Sequence, residues 1–471
     1  MPVHKHGDSI VIESRGQKGS MVFVYLVSLV AAVGGLLFGF DTAVISGAIG
    51  FLKAQFHLDA AQEGFIASSA LIGCVLGAFL AGPLSDRFGR KKVLFLAGIF
   101  FALSALGAAF PRNMTEFVLA RIVGGLGIGA ASMVSPLYIA EVAPAEKRGR
   151  LVSLNQMAII SGILVAYVVD WACASSFGPE TSWRWMFGAG AAPAFLFMLF
   201  LAFVPESPRW LCKQGRSAEA LVVLSSVGGT QHAQAEMKEI QETIEHEGSS
   251  LLQLFQPGLR TALLIGIVLA VLQQVTGINT VLYYAPRIFE NARFAKDAAL
   301  LSSIIVGLVN AVFTVVAILL IDKLGRKPLL LIGASGMCIS FALAGAAFSY
   351  KVEGIWILIF ILVYVASFAV ALGPVVWVVM SEIFPTRIRG RAMSIATVCL
   401  WVSCYLVSLT FPILVDRFGD SFTFWLYSAM CIVTIFFVAF VVPETKGKTL
   451  EQIEKRWSAP IKRAGREKKI P

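Results

Sequence analysis

Apolar stretches of about twenty residues or more, separated by short polar segments, run along almost the whole chain. A helix needs about 20 mostly apolar residues to cross the hydrocarbon core of a bilayer. Twelve stretches meet that length: 21–49, 63–83, 92–110, 117–140, 151–172, 184–204, 260–288, 298–321, 328–349, 355–381, 391–414 and 421–442. Most are rich in Gly and Ala, which let helices pack closely where lipid supplies no hydrophobic drive. Strands of a membrane β-barrel are ~10 residues long and alternate in polarity. The stretches here are far longer and apolar all round, so the pattern predicts an all-α membrane protein of twelve spans. Lys5, Arg15 and Lys18 precede the first span. That span is too long for a signal-peptide core and no small-residue cleavage site stands out, so no cleavage is expected.

Composition agrees. Apolar residues make up 57% and charged residues 14% of the chain, against about 25% charged in soluble proteins. This excludes a disordered chain, a secreted disulfide scaffold and an ordinary soluble enzyme. The net charge of +10 is explained by placement. With both termini cytoplasmic, 30 of the 39 Lys and Arg fall on the inner side, eight on the outer side, and Arg121 within a span. That is the positive-inside pattern, and basic loops beside anionic lipid need no nucleic-acid partner. The seven cysteines are scattered, form no CxxC and mostly lie in apolar helices, so neither a disulfide nor a metal site is expected.

The chain repeats itself. Asp86-Arg-Phe-Gly-Arg90-Lys recurs as Asp322-Lys-Leu-Gly-Arg326-Lys, and Glu141-x-x-Pro-x-x-x-Arg148-Gly-Arg as Glu382-x-x-Pro-x-x-x-Arg389-Gly-Arg. Pro205-Glu-Ser recurs as Pro443-Glu-Thr. Three motif pairs in one order at nearly one offset make spans 1–6 and 7–12 copies. Six is even, so both copies enter the membrane from the same side and the repeat is parallel, with a substrate site expected between the halves near the midplane. The organisation read from this is a cytoplasmic tail (1–20), a first six-helix bundle (21–204), a cytoplasmic helical linker (205–259), a second bundle (260–442) and a cytoplasmic tail (443–471). In the linker, Met237, Ile240 and Ile244 fall at helical spacing. It fits either a solvated connector or a lid that couples the halves.

Ionisable groups inside a membrane are costly and therefore point to function. Asp41 in span 1 and Arg121 in span 4 are expected in the outer halves of their helices. Facing each other, they fit either a fixed ion pair or a carboxylate that takes up and releases a proton as the pair opens. A fixed pair is the poorer fit, because an apolar replacement is often as stable. The repeated acidic and basic motifs, with Asp86, Arg90, Glu141 and Arg148 in one half and Asp322, Arg326, Glu382 and Arg389 in the other, are expected to form salt bridges at the cytoplasmic ends of helices, within and between bundles. Span 7 places Gln273, Gln274, Asn279, Tyr283 and Tyr284 in one apolar helix, with Gly277 allowing local unwinding. Amides both donate and accept and so match vicinal hydroxyls. Gln156, Asn310 and Trp377, the last just after Gly373-Pro374, extend the set. No second free cation stands at the midplane, so an uncharged polyol fits better than an anion.

The motifs Gly82-Pro-Leu-Ser-Asp-Arg-Phe-Gly-Arg90, Pro136-Leu-Tyr138 leading to Glu141, Pro205-Glu-Ser-Pro-Arg-Trp210, the run from Gln273 to Tyr284 and Pro443-Glu-Thr-Lys-Gly447 together resemble the sugar porters of the major facilitator superfamily. The resemblance covers roughly residues 20–455 and is nearest to bacterial xylose–proton symporters and related glucose and inositol transporters. It implies the major facilitator fold of two pseudo-symmetric six-helix bundles with short cytoplasmic helices between. It implies Asp41 as the protonation site with Arg121 as its modulator. Gln156, Gln273, Gln274, Asn279, Asn310 and Trp377 are implied as sugar ligands, with Phe38, Tyr283, Gly373 and Trp401 shaping the pocket. Passive facilitators carry a neutral residue in place of Asp41, which favours symport here. Leu400, Cys404 and Ile163 stand where relatives carry amides, and each removes a hydrogen-bonding group from the pocket. A proton-coupled monosaccharide importer in the bacterial inner membrane is expected, acting as a single chain with no cofactor beyond the coupling proton. A polyol symporter, a uniporter, a drug antiporter and a transport-inactive sugar sensor are the alternatives. No phosphate loop, metal cluster or nucleophile elbow suggests an enzyme.

Overall fold

The structure is a computed structural model that describes residues 19–144, 147–245, 259–352, 354–384 and 389–447. The first bundle comprises α1 (Met21–Ala43) and α2 (Ile45–Phe56), which together form span 1, then α3 (Ala60–Phe88), α4 (Arg90–Ala109), α5 (Met114–Val142), α6 (Arg148–Ser176), and the pair α7 (Pro179–Ala189) and α8 (Ala191–Phe203). Three short helices follow: α9 (Pro208–Lys213), α10 (Ser217–Gly228) and α11 (Thr230–Glu245). The second bundle comprises α12 (Leu259–Val275) and α13 (Ile278–Asn291), α14 (Lys296–Leu324), α15 (Arg326–Ser349), α16 (Ile355–Val370) and α17 (Leu372–Ile383), and α18 (Arg389–Phe440). Helix α18 holds the last two spans, which turn at Gly419 where φ is 80°.

Helix ends follow from local chemistry. Asp59 caps α3 through a reciprocal box, accepting from the Gln62 N–H at 2.8 Å while Gln62 Oε1 accepts from the Asp59 N–H at 3.1 Å. Asn113 caps α5. The glycines of the repeated Asp-x-x-Gly-Arg-Lys motif, Gly89 and Gly325, separate α3 from α4 and α14 from α15 at φ of 98° and 95°. Side chains are rarely tolerated there, and a Cβ would also press on the carboxylates of Glu206 and Glu444.

Within the first bundle α3 crosses α5 closely, and across the bundles α3 packs on α18 and α6 on α14. A Cβ on Gly73, Gly77, Gly125 or Gly129 would run into the backbone of the opposing helix; at Gly125 it would strike the Ala70 carbonyl. Gly125→Val therefore overpacks the crossing, at a cost of about 3 kcal/mol, and is expected to lower the thermal unfolding midpoint of the detergent-solubilised protein by several degrees. An unchanged midpoint would show that the crossing can relax.

The basic motifs, the start of α1 and the helices α9–α11 gather on one side, called here the basic side. The Ser20 N–H donates to the Ser226 carbonyl, tying α1 to α10, and Trp210 Nε1 donates to the Asp86 carbonyl. Met237 on α11 packs on the small core of Trp210, Leu211, Ala220 and Val223. The spacing of Met237 with Ile240 and Ile244 thus lies on a real helix.

Candidate functional site

Asp41 lies three residues before the break at Val44 that divides span 1 into α1 and α2. Arg121 is on the second turn of α5 and is 1% exposed. Its Nη1 donates to Asp41 Oδ1 at 2.6 Å, and its Nη2 to the backbone carbonyl of Asp41 at 2.8 Å. The Phe187 ring covers the guanidinium, 5.3 Å away. The other carboxylate oxygen, Asp41 Oδ2, is buried without a partner, as is Ser104 Oγ. Both converge on Gly124, where a Cβ would meet each of them. The pair is therefore asymmetric: one oxygen is held by the cation, and the other is open to accept a proton.

The amide cluster is built on two helix breaks. Gly277, at φ 94°, parts α12 from α13, and Tyr364 donates to the freed Thr276 carbonyl at 2.9 Å. Ala371 parts α16 from α17. Gln273 Nε2 donates to the carbonyls of Leu372 and Gly373 at 2.6 and 3.1 Å, joining one break to the other. Gln274 Nε2 donates to Gln273 Oε1 at 3.3 Å; Asn279 Nδ2 donates to Gln274 Oε1 at 2.5 Å and to Cys404 Sγ at 3.0 Å. The amides thus satisfy one another. An entering hydroxyl must displace these bonds with bonds of its own, and that requirement selects polar solutes over apolar ones.

Asn310 on α14 and Tyr283 on α13 are buried, and Gln156 on α6 and Trp377 on α17 are half-buried. Phe38 of the first bundle meets Trp401 of the second edge to face, with ring centroids 5.5 Å apart. Trp401 Nε1 is a buried donor without a partner. Leu400 and Ile163 are buried apolar groups.

The basic-side motifs assemble into two matching clusters. Arg90 grips Glu141 with two hydrogen bonds of 2.8 and 2.9 Å and pairs with Asp86 at 3.1 Å. Ser207 Oγ donates to Glu141 at 2.5 Å. The Glu206 carboxylate accepts from the N–H groups of Arg90 and Lys91 at the start of α4. In the second bundle Arg326 grips Glu382 at 3.2 and 2.8 Å and pairs with Asp322 at 3.1 Å, while Thr445 Oγ1 donates to Glu382 at 2.5 Å. Glu444 accepts from the N–H groups of Arg326 and Lys327. Each cluster joins one bundle to the segment that directly follows it and none of these bonds crosses to the other bundle, which corrects the expectation of bridges between bundles for these groups: each arginine already spends its fork on the glutamate of its own half. Arg148 stands apart, 3.9 Å from Glu236 of α11. The Arg389 side chain lies outside the described residues.

Several contributors escaped the sequence reading. Glu63, buried at the start of α3, is bonded by Arg287 of α13 in the opposite bundle and by Lys53 at 2.9 Å. On the same side, away from the basic motifs, Tyr167 donates to the Leu282 carbonyl across the bundles at 2.7 Å, and Lys296 lies 3.9 Å from the Phe51 ring centre. These contacts close the molecule on that side. Asp170, inside span 5, is buried near Gly47. Asp170 falls within the predicted span 151–172, so intramembrane charge was the signal that would have found it; Arg287, at the very end of span 260–288 and counted among the eight outer-side cations, and Glu63, at the start of span 63–83, carried no such mark.

A family model described as sugar (and other) transporters matches residues 27–457. The arabinose-proton symporter of Bacillus subtilis (strain 168) is 46% identical over 444 residues, covering 93% of this chain and 96% of that protein. The D-xylose-proton symporter of Escherichia coli (strain K12) is 43% identical, covering 94% and 97%. The solved structure of the E. coli xylose transporter XylE in a partially occluded inward open conformation superposes with a TM-score of 0.83 at 42% identity, covering 91% of this chain and all of that one. The matched helices, the two repeated bundles and the motif clusters agree, and the chain belongs to the sugar transporter family of the major facilitator superfamily.

Proposed function

We propose that the protein is a proton-coupled symporter that imports a monosaccharide by alternating access across the bacterial inner membrane, with both termini in the cytoplasm. The observation that carries this reading is the buried Asp41–Arg121 pair with its open carboxylate oxygen, set beside a cluster of mutually bonded amides. The similarity to arabinose- and xylose-proton symporters supports the substrate class and the coupling ion. In this orientation the basic side is cytoplasmic, and the closed side is the outer one. Sugar bonded by Gln156, Gln273, Gln274, Asn279 and Asn310, and stacked on Trp377, draws the bundles together about Phe38, Tyr283, Gly373 and Trp401. Proton release from Asp41 restores its charge to Arg121. The sugar passes unchanged, the single chain is the working unit, and the proton is the only accessory species.

The test is uptake into proteoliposomes with an imposed pH gradient and a labelled panel of arabinose, xylose, glucose and inositol. Gradient-dependent accumulation of at least one sugar is expected, and equal uptake with and without the gradient would leave a uniporter. Gln273→Ala removes the donor to both break carbonyls, and Trp377→Ala removes the stacking face. Each is expected to weaken sugar binding at least tenfold in calorimetry, consistent with about 1–3 kcal/mol for a buried polar partner. Wild-type affinity in both variants would place the pocket elsewhere.

A further inference from the structure

A second intramembrane carboxyl stands apart from the Asp41 pair. Asp170 on α6 is 1% exposed. Its Oδ2 accepts one backbone N–H, that of Gly47, at 3.1 Å, and its Oδ1 is buried without a partner. Gly47 lies just past the span-1 break, and a Cβ there would collide with the Asp170 side chain. The carboxyl is thus fitted against the backbone of α2.

Of the charged groups on the elements packed against α6, Glu180 at the start of α7 and Asp297 at the start of α14 are acids that bring no counter-charge, and the cations named next are engaged elsewhere. Arg121 of α5 is spent on Asp41 of α1. Lys53 of α2 is bound to Glu63. Arg184 of α7 donates to the Ala109 carbonyl and lies over Trp183. Lys296, at the start of α14 beside Asp297, sits over Phe51. On α6 itself the near titratable neighbours are Tyr167 and Cys173. An ionised carboxylate held in a dry site by a single N–H and no cation is far costlier than a neutral acid. Asp170 is also tied to the access state. Tyr167, one turn earlier, donates across the bundles to Leu282, so outer opening breaks that bond and lets water reach this part of α6.

We propose that Asp170 is a second proton-binding site, separate from Asp41, that holds a proton while the outer side is closed and exchanges it with the external medium as that side opens. The step is Asp170–COOH to Asp170–COO⁻ plus a proton delivered to external water. The closed state binds the extra proton, so low external pH favours closure, by up to tenfold per pH unit for one linked proton. The inference rests on alternating access in the proposed orientation and not on the identity of the sugar.

The experiment uses the full chain in lipid nanodiscs without sugar, spin-labelled at the outer ends of α3 and α13. Asp41→Asn is the background, which removes the carboxyl proposed to couple the sugar to the proton. In that background the ratio of closed to open distances is expected to fall several-fold per unit rise in pH, and adding Asp170→Asn flattens the response. Asn keeps the acceptor for the Gly47 N–H, and Asp170→Glu is expected to restore the slope. Infrared difference spectra at neutral pH should show a neutral carboxyl band that Asp170→Asn removes and Asp170→Glu shifts. An equal pH slope with and without Asp170→Asn, or a band unaffected by it, overturns the proposal. If instead gradient-driven sugar uptake is missing in wild type while the Asp170-dependent slope remains, the symport reading fails and this site stands.

Discussion

Asp41→Asn is expected to abolish pH-gradient-driven sugar accumulation while sugar counterflow continues within a few-fold of wild type. A gradient of one pH unit is worth about 1.4 kcal/mol per proton, or a tenfold accumulation; the variant brings the ratio to one. The geometry explains the separation. Asn still offers one oxygen to Arg121 Nη1, and Arg121 Nη2 keeps the residue-41 carbonyl it already holds at 2.8 Å. The cation is therefore not left bare, which spares the penalty of an isolated buried charge. What Asn cannot do is gain and lose a proton at the oxygen now open beside Ser104. Both fluxes are measured in the same proteoliposomes. Accumulation that survives the substitution would remove Asp41 from the coupling.

The second large effect is expected at the outer closure. Arg287→Gln breaks the ion pair that joins the bundles through Glu63. Glu63 keeps Lys53, so the first bundle retains a compensated carboxylate. Losing one partner of a buried pair costs about 3–5 kcal/mol. Here the surviving Lys53 recovers part of that, and at least a tenfold shift of the resting population towards the outward-open state is expected, at about 1.4 kcal/mol per factor of ten. Electron-spin distances between the outer ends of α3 and α13 read the shift. The double variant Glu63→Gln/Arg287→Gln isolates the coupling between the two side chains. A distance distribution identical to wild type would show that the pair does not latch the bundles.

Much of this was legible in the residues. Twelve apolar lengths and three repeated motifs specify two copies of a six-span unit, because bilayer thickness and chain direction leave little freedom. Asp41 and Arg121 could be paired on paper because lipid makes each alone so costly. Gly277 marked its helix break. The sequence was mute where partners depend on the relative placement of helices. Nothing in the order of Arg90, Glu141 and Glu206 says that one arginine will turn inward to its own half's glutamate instead of reaching the other bundle. Glu63 and Arg287 are 224 positions apart, and only the closing of the bundles makes them neighbours. The amides of span 7 could be seen as a cluster, but not that Gln273 would bridge two broken helices.

The Glu444 carboxylate that caps α15 has a consequence for how the molecule keeps its proton traffic in order. Burial alone raises the pKa of Glu444, but the N–H groups of Lys446, Arg326, Lys327 and Thr445 outweigh it and hold the carboxyl below its ordinary value. A depressed carboxylate lends its stability above its unfolded pKa and loses it only as pH falls through the lower folded value. That value lies below the ordinary carboxylate range, away from neutral pH. This fastening is therefore deaf to the ion the transporter is proposed to carry. The carboxyl proposed to carry the proton lies in a membrane span, and the carboxylate that anchors α15 on the basic side is insulated from it.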